Sequence, residues 1–394
     1  MTRRALLPYF LLVALAMMSL GAIFTMLAEL RDQLGFSESG LGLMVAMGFF
    51  AAFFSQIGLA RWADRGYSAA MIRIGLIAIG SSLVLMAIST ELWQFTGARM
   101  LLGLGVGILL PSVRRLVIVA DPDNIGANIG LMGSFDVAGF LIGPLIAGAL
   151  VELVGLRAPF WVLAAITFAF LPIVARLPPD TGEVATRGPV LSELLGRRAL
   201  VAVLVVAGGW FAMIGVFESV WAVLLTDRGA ETWLIAVTLS IIVMPIIIIA
   251  PIGGRLAYRH GPLRVATVGI IAVVPCVLAY GFVESLVAMT AIAVLQGMGD
   301  AVIFPSAQVG AALAADEDQM ASAQGLQGAT LELIAGIMAL GAGIGYERAG
   351  PEIVFVSAAS LMVIGVVAAN LIARPLVAER HPVAVGSSPG KVRA

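Results

Sequence analysis

Long apolar runs separated by short polar breaks repeat along this chain from one end to the other. A helix needs about 20 apolar residues to cross the roughly 30 Å hydrocarbon core of a bilayer. The pattern predicts twelve such helices, over 6–30, 39–60, 69–90, 93–118, 126–153, 157–177, 199–225, 232–256, 263–283, 286–313, 319–346 and 350–373. One internal break is long and polar, 178–198, opening Pro178-Pro179-Asp180-Thr181-Gly182 and closing Arg197-Arg198. It divides the chain into a six-helix half at 1–177 and a second at 199–373, with a tail at 374–394 expected to be disordered.

The two halves echo each other about 194 residues apart. Gly103 and Gly105 answer to Gly297 and Gly299, Pro111-Ser112 to Pro305-Ser306, and Arg65 to Arg259. With one residue of slip, Ala120-Asp121 answers to Ala315-Asp316, and Gly130-Leu131 with Gly133 to Gly325-Leu326 with Gly328. The predicted fold class is therefore an all-α membrane protein with twelve transmembrane helices in two pseudo-symmetric bundles. A duplicated bundle can wrap a central midplane site and rock about it, which is how secondary transporters are built.

Composition agrees with a lipid-facing surface. Hydrophobic residues make up 60% of the chain and charged residues 12%, against about a quarter charged in soluble domains. The first run is too long for a signal core and ends at Glu29-Leu30-Arg31, so it reads as the first membrane helix. Net charge is −1 and predicts no bulk partner such as nucleic acid, but its distribution is uneven. If the chain starts in the cytoplasm, the opposite side carries only Arg31, Arg157, Arg228 and Arg348 at its loops. Basic residues stay on the cytoplasmic side during insertion, so the expectation is a plasma-membrane protein with both termini inside.

Several chemistries are poorly supported. The sole lysine, Lys391, is in the tail, and there is no GxxxxGK[ST] loop to cradle ATP. The histidines, His260 and His381, fall in a loop and the tail, and no HExxH helix or GxSxG elbow occurs. Cys276 has no second cysteine to pair with and reads as a small core residue. No catalytic residue, metal site or cofactor is expected, and energy must come from an ion or substrate gradient.

The polar groups inside the membrane segments carry the remaining chemistry, because an ionisable residue in lipid is costly and functional by default. Arg99 lies about six residues, roughly 9 Å, from the outer end of its helix. Asp136 lies near the middle of span five, and rise arithmetic places it within roughly 6 Å in height of Arg99, so the two can pair. Either a proton-coupling pair or a permanent structural ion pair fits that placement. Glu332 falls one residue from the repeat equivalent of Asp136, with Gln324 and Gln327 on the same helix, and Asp300 is placed roughly 9 Å from the cytoplasmic face. Glu218 with Trp221, and Glu29, lie nearer the outer ends, where a solvated interfacial role is expected.

Four motifs resemble the major facilitator superfamily. The loops Ala60-Arg61-Trp62-Ala63-Asp64-Arg65-Gly66 and Gly254-Arg255-Leu256-Ala257-Tyr258-Arg259-His260-Gly261 are similar to its GxLaDrxGrr signature, once per half. Ala60 replaces the first glycine, Gly66 comes one residue early and Tyr258 replaces an acidic residue. Arg99 followed by Gly103 resembles the span-four signature. Gly139-Phe140-Leu141-Ile142-Gly143-Pro144, with Ala147 in place of a glycine, resembles the GxxxGPxxGG of twelve-helix proton antiporters. The resemblance implies proton-coupled efflux of a small lipophilic or cationic compound by rocker-switch alternating access, by a monomer. Asp136, Arg99, Glu332 and Asp300 are then expected at the proton or substrate site. Asp64, Arg65, Arg73, Asp121 and Arg259 would form a cytoplasmic gate, and Gly139, Gly143 and Pro144 a span-five hinge. An uncoupled facilitator, an importer of a sugar or carboxylate, and a non-transporting sensor stay open on the same fold.

Overall fold

The computed structural model describes residues 3–62, 66–121, 125–177, 191–315 and 320–379. Among these the regular structure is entirely helical. The N-terminal half comprises α1 (Arg3–Thr25), α2 (Leu27–Leu34), α3 (Glu38–Trp62), α4 (Ser68–Ile88), α5 (Leu92–Ala120), α6 (Ile125–Leu153), α7 (Ala158–Ala169) and α8 (Leu171–Ala175). A short α9 (Leu191–Gly196) precedes the second half, α10 (Arg198–Asp227), α11 (Thr232–His260), α12 (Pro262–Phe282), α13 (Leu286–Leu313) and α14 (Met320–Glu379). The near side of the molecule is the one on which α1 begins, and the far side is opposite.

The predicted runs appear within a few residues, with three differences. The first run divides at Met26, leaving the polar α2, with Glu29, Arg31, Asp32 and Gln33, to lie along the far end. The sixth divides before Leu171-Pro172, because proline has no N–H for the preceding turn. The last two join in one 60-residue stretch broken only at Gly350, whose φ of 80° and ψ of 178° turn the chain back. The twelve crossings follow once that break is counted. Helix also extends beyond two expected boundaries: α9 lies within the predicted linker, and α14 runs past 373 to Glu379.

The repeat is written into the turns. Among the described residues the glycines with positive φ are Gly35, Gly66, Gly155, Gly229, Gly261 and Gly350. They form three pairs 194 or 195 residues apart: Gly35 with Gly229, Gly66 with Gly261, and Gly155 with Gly350. Each turns the chain after an equivalent helix in the two halves, through a conformation that costs a residue with a β-carbon roughly 1–2 kcal/mol. The same symmetry governs close packing. A β-carbon on Gly103 would collide with the Gly48 carbonyl oxygen, and one on Gly297 with the Ile242 carbonyl oxygen. Thus α5 packs on α3 as α13 packs on α11. Lipid supplies no hydrophobic drive between helices, so such close backbone approach supplies the van der Waals contact that holds them.

Between the bundles, α3 packs along α14 and α6 along α11. These are repeat-related pairs, second span with eleventh and fifth with eighth, and they define the seam. Gly42 admits the Ala339 carbonyl, Gly336 faces Phe50, and Gly148 meets Ala236 across it.

Replacing Gly103 or Gly297 by valine is expected to destabilise the purified protein by about 1–3 kcal/mol each, through overpacking. Gly97→Val, at a position where a β-carbon meets no heavy atom within 4 Å, is expected to leave the thermal midpoint close to wild type.

Candidate functional site

Arg99 is the centre of the seam. It is 1% exposed on the buried face of α5. Gly48 of α3 makes the room: a β-carbon there would sit 2.8 Å from the guanidinium carbon. The guanidinium lies 5.4 Å from the Phe24 ring centre and 5.9 Å from that of Phe49, which offer their electron-rich faces. Its Nε and Nη1 are buried without a hydrogen-bond partner among the described residues. The charges that act on it come from the other bundle, Glu218 of α10 and Glu332 of α14. Glu218 Oε2 is likewise buried and unbonded among the described residues.

Asp136 does not have Arg99 as its counter-charge, as its predicted height implied. The basic group that acts on it is Arg114, also on α5 but closer to the near side. The reason is helix length. α5 and α6 each run 29 residues, roughly 43 Å at 1.5 Å per residue, so depths counted from opposite ends within a 30 Å slab brought the two residues too close. Glu332 connects the two groups, lying within electrostatic reach of both Arg99 and Asp136. The result is a chain of charges along the seam, Glu218, Arg99, Glu332, Asp136 and Arg114, contributed by both halves.

Asp300 lies elsewhere. It sits at the middle of α13, 13 residues from the near end at Leu313, or roughly 20 Å, rather than 9 Å deep. Its carboxylate accepts from the Trp210 indole at 2.7 Å and the Gln296 amide at 3.1 Å, inside the C-terminal bundle.

Of the expected near-side gate, Asp64 and Arg65 lie outside the described residues. Arg73 is used within its own half, donating to the carbonyls of Val174, Ala175 and Leu177 at the end of α8. Asp121 accepts from Asn128 at 2.9 Å, and Arg259 is exposed at the end of α11. The glycines of span five pack α6 on α1 and leave no space for side chains: Gly139 faces the Ala14 carbonyl, Gly143 the Met18 carbonyl, and Pro144 lies against Gly21.

Among the described residues, bonds tie the bundles at the far end. Arg31 pairs with Asp227 of α10 at 2.7 Å, while also holding Asp32 at 2.8 Å and Glu38 at 3.4 Å. Burial alone would lower the Arg31 pKa, but the bonds and charges of Asp32 and Asp227 outweigh it and hold the guanidinium above its ordinary value. Tyr346 donates to the other oxygen of Asp227 at 2.6 Å. The Thr232 hydroxyl donates to Glu29, the Trp233 amide to Glu152 at 2.8 Å, and the Ser39 amide to Glu347 at 2.9 Å. Deeper along the same seam, Ser240 donates to the Leu141 carbonyl at 2.8 Å. Glu29 is therefore a seam residue and not merely a solvated helix end.

The sequence profile of the Major Facilitator Superfamily matches residues 9–286 and again 232–392. The chain belongs to the Major Facilitator Superfamily. As a member it is a multi-pass membrane transporter and not an enzyme. It is similar to "Multidrug resistance protein MdtG" of Klebsiella pneumoniae, 27% identical over 293 residues that cover 70% of this chain and 71% of that one. The MdtG protein of Yersinia enterocolitica is 35% identical over 144 residues, about a third of each chain (35% and 34%). The fold is similar to that of a bacterial homologue of the human lysosomal transporter Spinster in an inward-facing, unoccupied conformation, with a TM-score of 0.77, 16% identity and coverage of 97% and 99%. The nucleoside transporter NupG superposes with a TM-score of 0.73 at 16% identity, covering 93% and 98%.

Three functional candidates were missed by sequence reasoning. Glu218 stands 194 residues after Phe24, so the two occupy repeat-equivalent positions, and both face Arg99. That equivalence was available in the sequence. Arg114 stands near the near-side end of α5, where a basic residue reads as a membrane anchor, although its Nε is buried. The Arg31–Asp227 pair had a weaker signal, opposite charges at the far ends of equivalent spans.

Cutting the far-side tie is expected to favour opening there. Arg31→Ala or Asp227→Asn should speed alkylation of a Ser240→Cys probe by an impermeant maleimide in a Cys276→Ser background. A partly exposed pair is worth up to about 1 kcal/mol, a shift of about fivefold.

Proposed function

We propose that this transporter exports a small lipophilic or cationic compound in exchange for protons, by rocker-switch alternating access. The observation that carries the reading is the buried Arg99 of one bundle set against Glu218 and Glu332 of the other. With Asp136 and Arg114, the buried centre of the seam holds three carboxylates and two guanidiniums, one negative charge in excess. A proton or a monovalent organic cation supplies the missing charge, and the two compete for the same carboxylates.

The charge placement supports a simple cycle. With the carboxylates ionised, Arg99 draws Glu218 and Glu332 across the seam and favours the closed far side. Protonation of a carboxylate removes part of that attraction and expels a bound cation. Loss of the proton on the other side restores the site. The relevant polar groups sit among apolar walls, where electrostatic differences between states are large. Gly139, Gly143 and Pro144 hold α6 to α1, so the N-terminal half moves as one body. Asp64 and Arg65, with Asp121 and Arg259, would latch the near side when it closes. The positive-inside distribution supports a cytoplasmic near side and a plasma-membrane location, and the MdtG relatives, named for multidrug resistance, support efflux as the direction. The protein is proposed to act as a monomer with a small-molecule substrate, protons and surrounding lipid as its partners.

Energised everted vesicles test this. Addition of cationic and lipophilic compounds is expected to alkalinise the acidic lumen, as protons leave in exchange for substrate. Glu332→Gln and Asp136→Asn are each expected to reduce that signal to background in protein that purifies and melts like wild type. Arg99→Ala is expected to abolish it as well. Retention of full compound-driven proton movement in Glu332→Gln and Asp136→Asn would overturn the coupling assignment, and compound equilibration without proton movement would make the protein a facilitator.

A further inference from the structure

Asp300 is not used by the seam. It is 2% exposed, and it receives only neutral donors, the Trp210 indole at 2.7 Å and the Gln296 amide nitrogen at 3.1 Å. No ion pair reaches it among the described residues. The titratable groups in its electrostatic reach are Cys276 and Tyr280 of α12, neither of them a cation. From α10 come Trp210 and the Met213 sulfur, which accepts from Gln296 at 3.3 Å. The basic side chains of α11, Arg255 and Arg259, lie toward its near end, and Glu332 of α14 is turned to the seam. A carboxylate so enclosed, with no counter-charge, is strongly disfavoured unless it binds a cation.

A second observation points to that cation. Gln296 is 1% exposed, and its Oε1 is buried without a hydrogen-bond partner among the described residues. An amide presents a donor on one side and an acceptor on the other. Its nitrogen suits an ionised Asp300, and its oxygen suits a protonated one or a bound metal cation. The side chain that clamps the carboxylate thus holds a free acceptor beside it.

We propose that Asp300 and Gln296, braced by Trp210, form a monovalent-cation site inside the C-terminal bundle, filled by a proton or a sodium ion and separate from the seam. The site gives this half its own charge-binding event on α13, next to α10, which also carries Glu218. Binding there would stabilise the α10–α13 packing. The inference does not depend on the substrate or coupling assigned to the seam.

Trp210 is a built-in reporter, because its indole N–H bonds the carboxylate directly. The difference in tryptophan fluorescence between the full-length purified protein and its Trp210→Phe variant isolates that signal. One titration replaces choline chloride by sodium chloride at fixed alkaline pH and constant ionic strength. The other varies pH without sodium. A saturable change of the Trp210 signal is expected in at least one, lost in Asp300→Asn, with its midpoint weakened about tenfold in Gln296→Met. A response to sodium identifies the ion as sodium, and a response to pH alone identifies the proton. Gln296→Met retains the carboxylate and carries the test should Asp300→Asn give no folded protein. Glu332→Gln is expected to keep the signal, which separates this site from the seam. Flat titrations in wild type, or curves that Asp300→Asn or Gln296→Met leaves unchanged, would overturn the proposal.

Discussion

A guanidinium in the middle of a membrane protein must be compensated by whatever surrounds it, and Arg99 imposes that demand on both bundles. Its own half meets part of it with geometry. Gly48 has no side chain to obstruct it, and Phe24 and Phe49 present ring faces. The remaining compensation comes from carboxylates that belong to the other half. A charge whose partners lie across the seam ties electrostatics to the packing of the two bundles, since separating them would expose both sides at once. A neutral residue at the same position would let the halves separate without that electrostatic cost.

The scaffold is symmetric and the charges are not. Glycines with positive φ recur in equivalent turns, and Gly103 and Gly297 admit backbone oxygens at equivalent crossings. Yet the repeat partner of Arg99 is Ala293, that of Arg114 is Gln308, and that of Asp300 is Val106. Turns and helix contacts answer to backbone sterics, which both halves share. Ionisable groups answer to the local surroundings at the centre of the molecule rather than to the repeat. Phe24 and Glu218 show the division within one repeat pair: each faces Arg99, one with a ring and the other with a carboxylate.

Among the described residues, the far side bonds the bundles to each other through Arg31–Asp227, Thr232–Glu29, Trp233–Glu152 and Ser39–Glu347. In this state Arg73 caps α8 and Arg259 faces outward.

The sequence by itself determined the number of crossings, the duplication and the family, because lipid requires each segment to satisfy its own backbone and leaves long apolar runs as the visible result. It also marked Arg99, Asp136, Glu332 and Asp300 as residues with no ordinary reason to be inside a membrane. Only the tertiary structure decided which of them meet. Helix rise gives a depth along one axis, but pairing depends on rotation about that axis, on the true length of each helix and on the crossing of distant segments. That is why Asp136 faces Arg114, why Glu218 joins the centre, and why Asp300 turns into its own bundle toward Trp210. The Arg31–Asp227 tie joins residues almost half a chain apart, and only the packing of the two bundles brings them together.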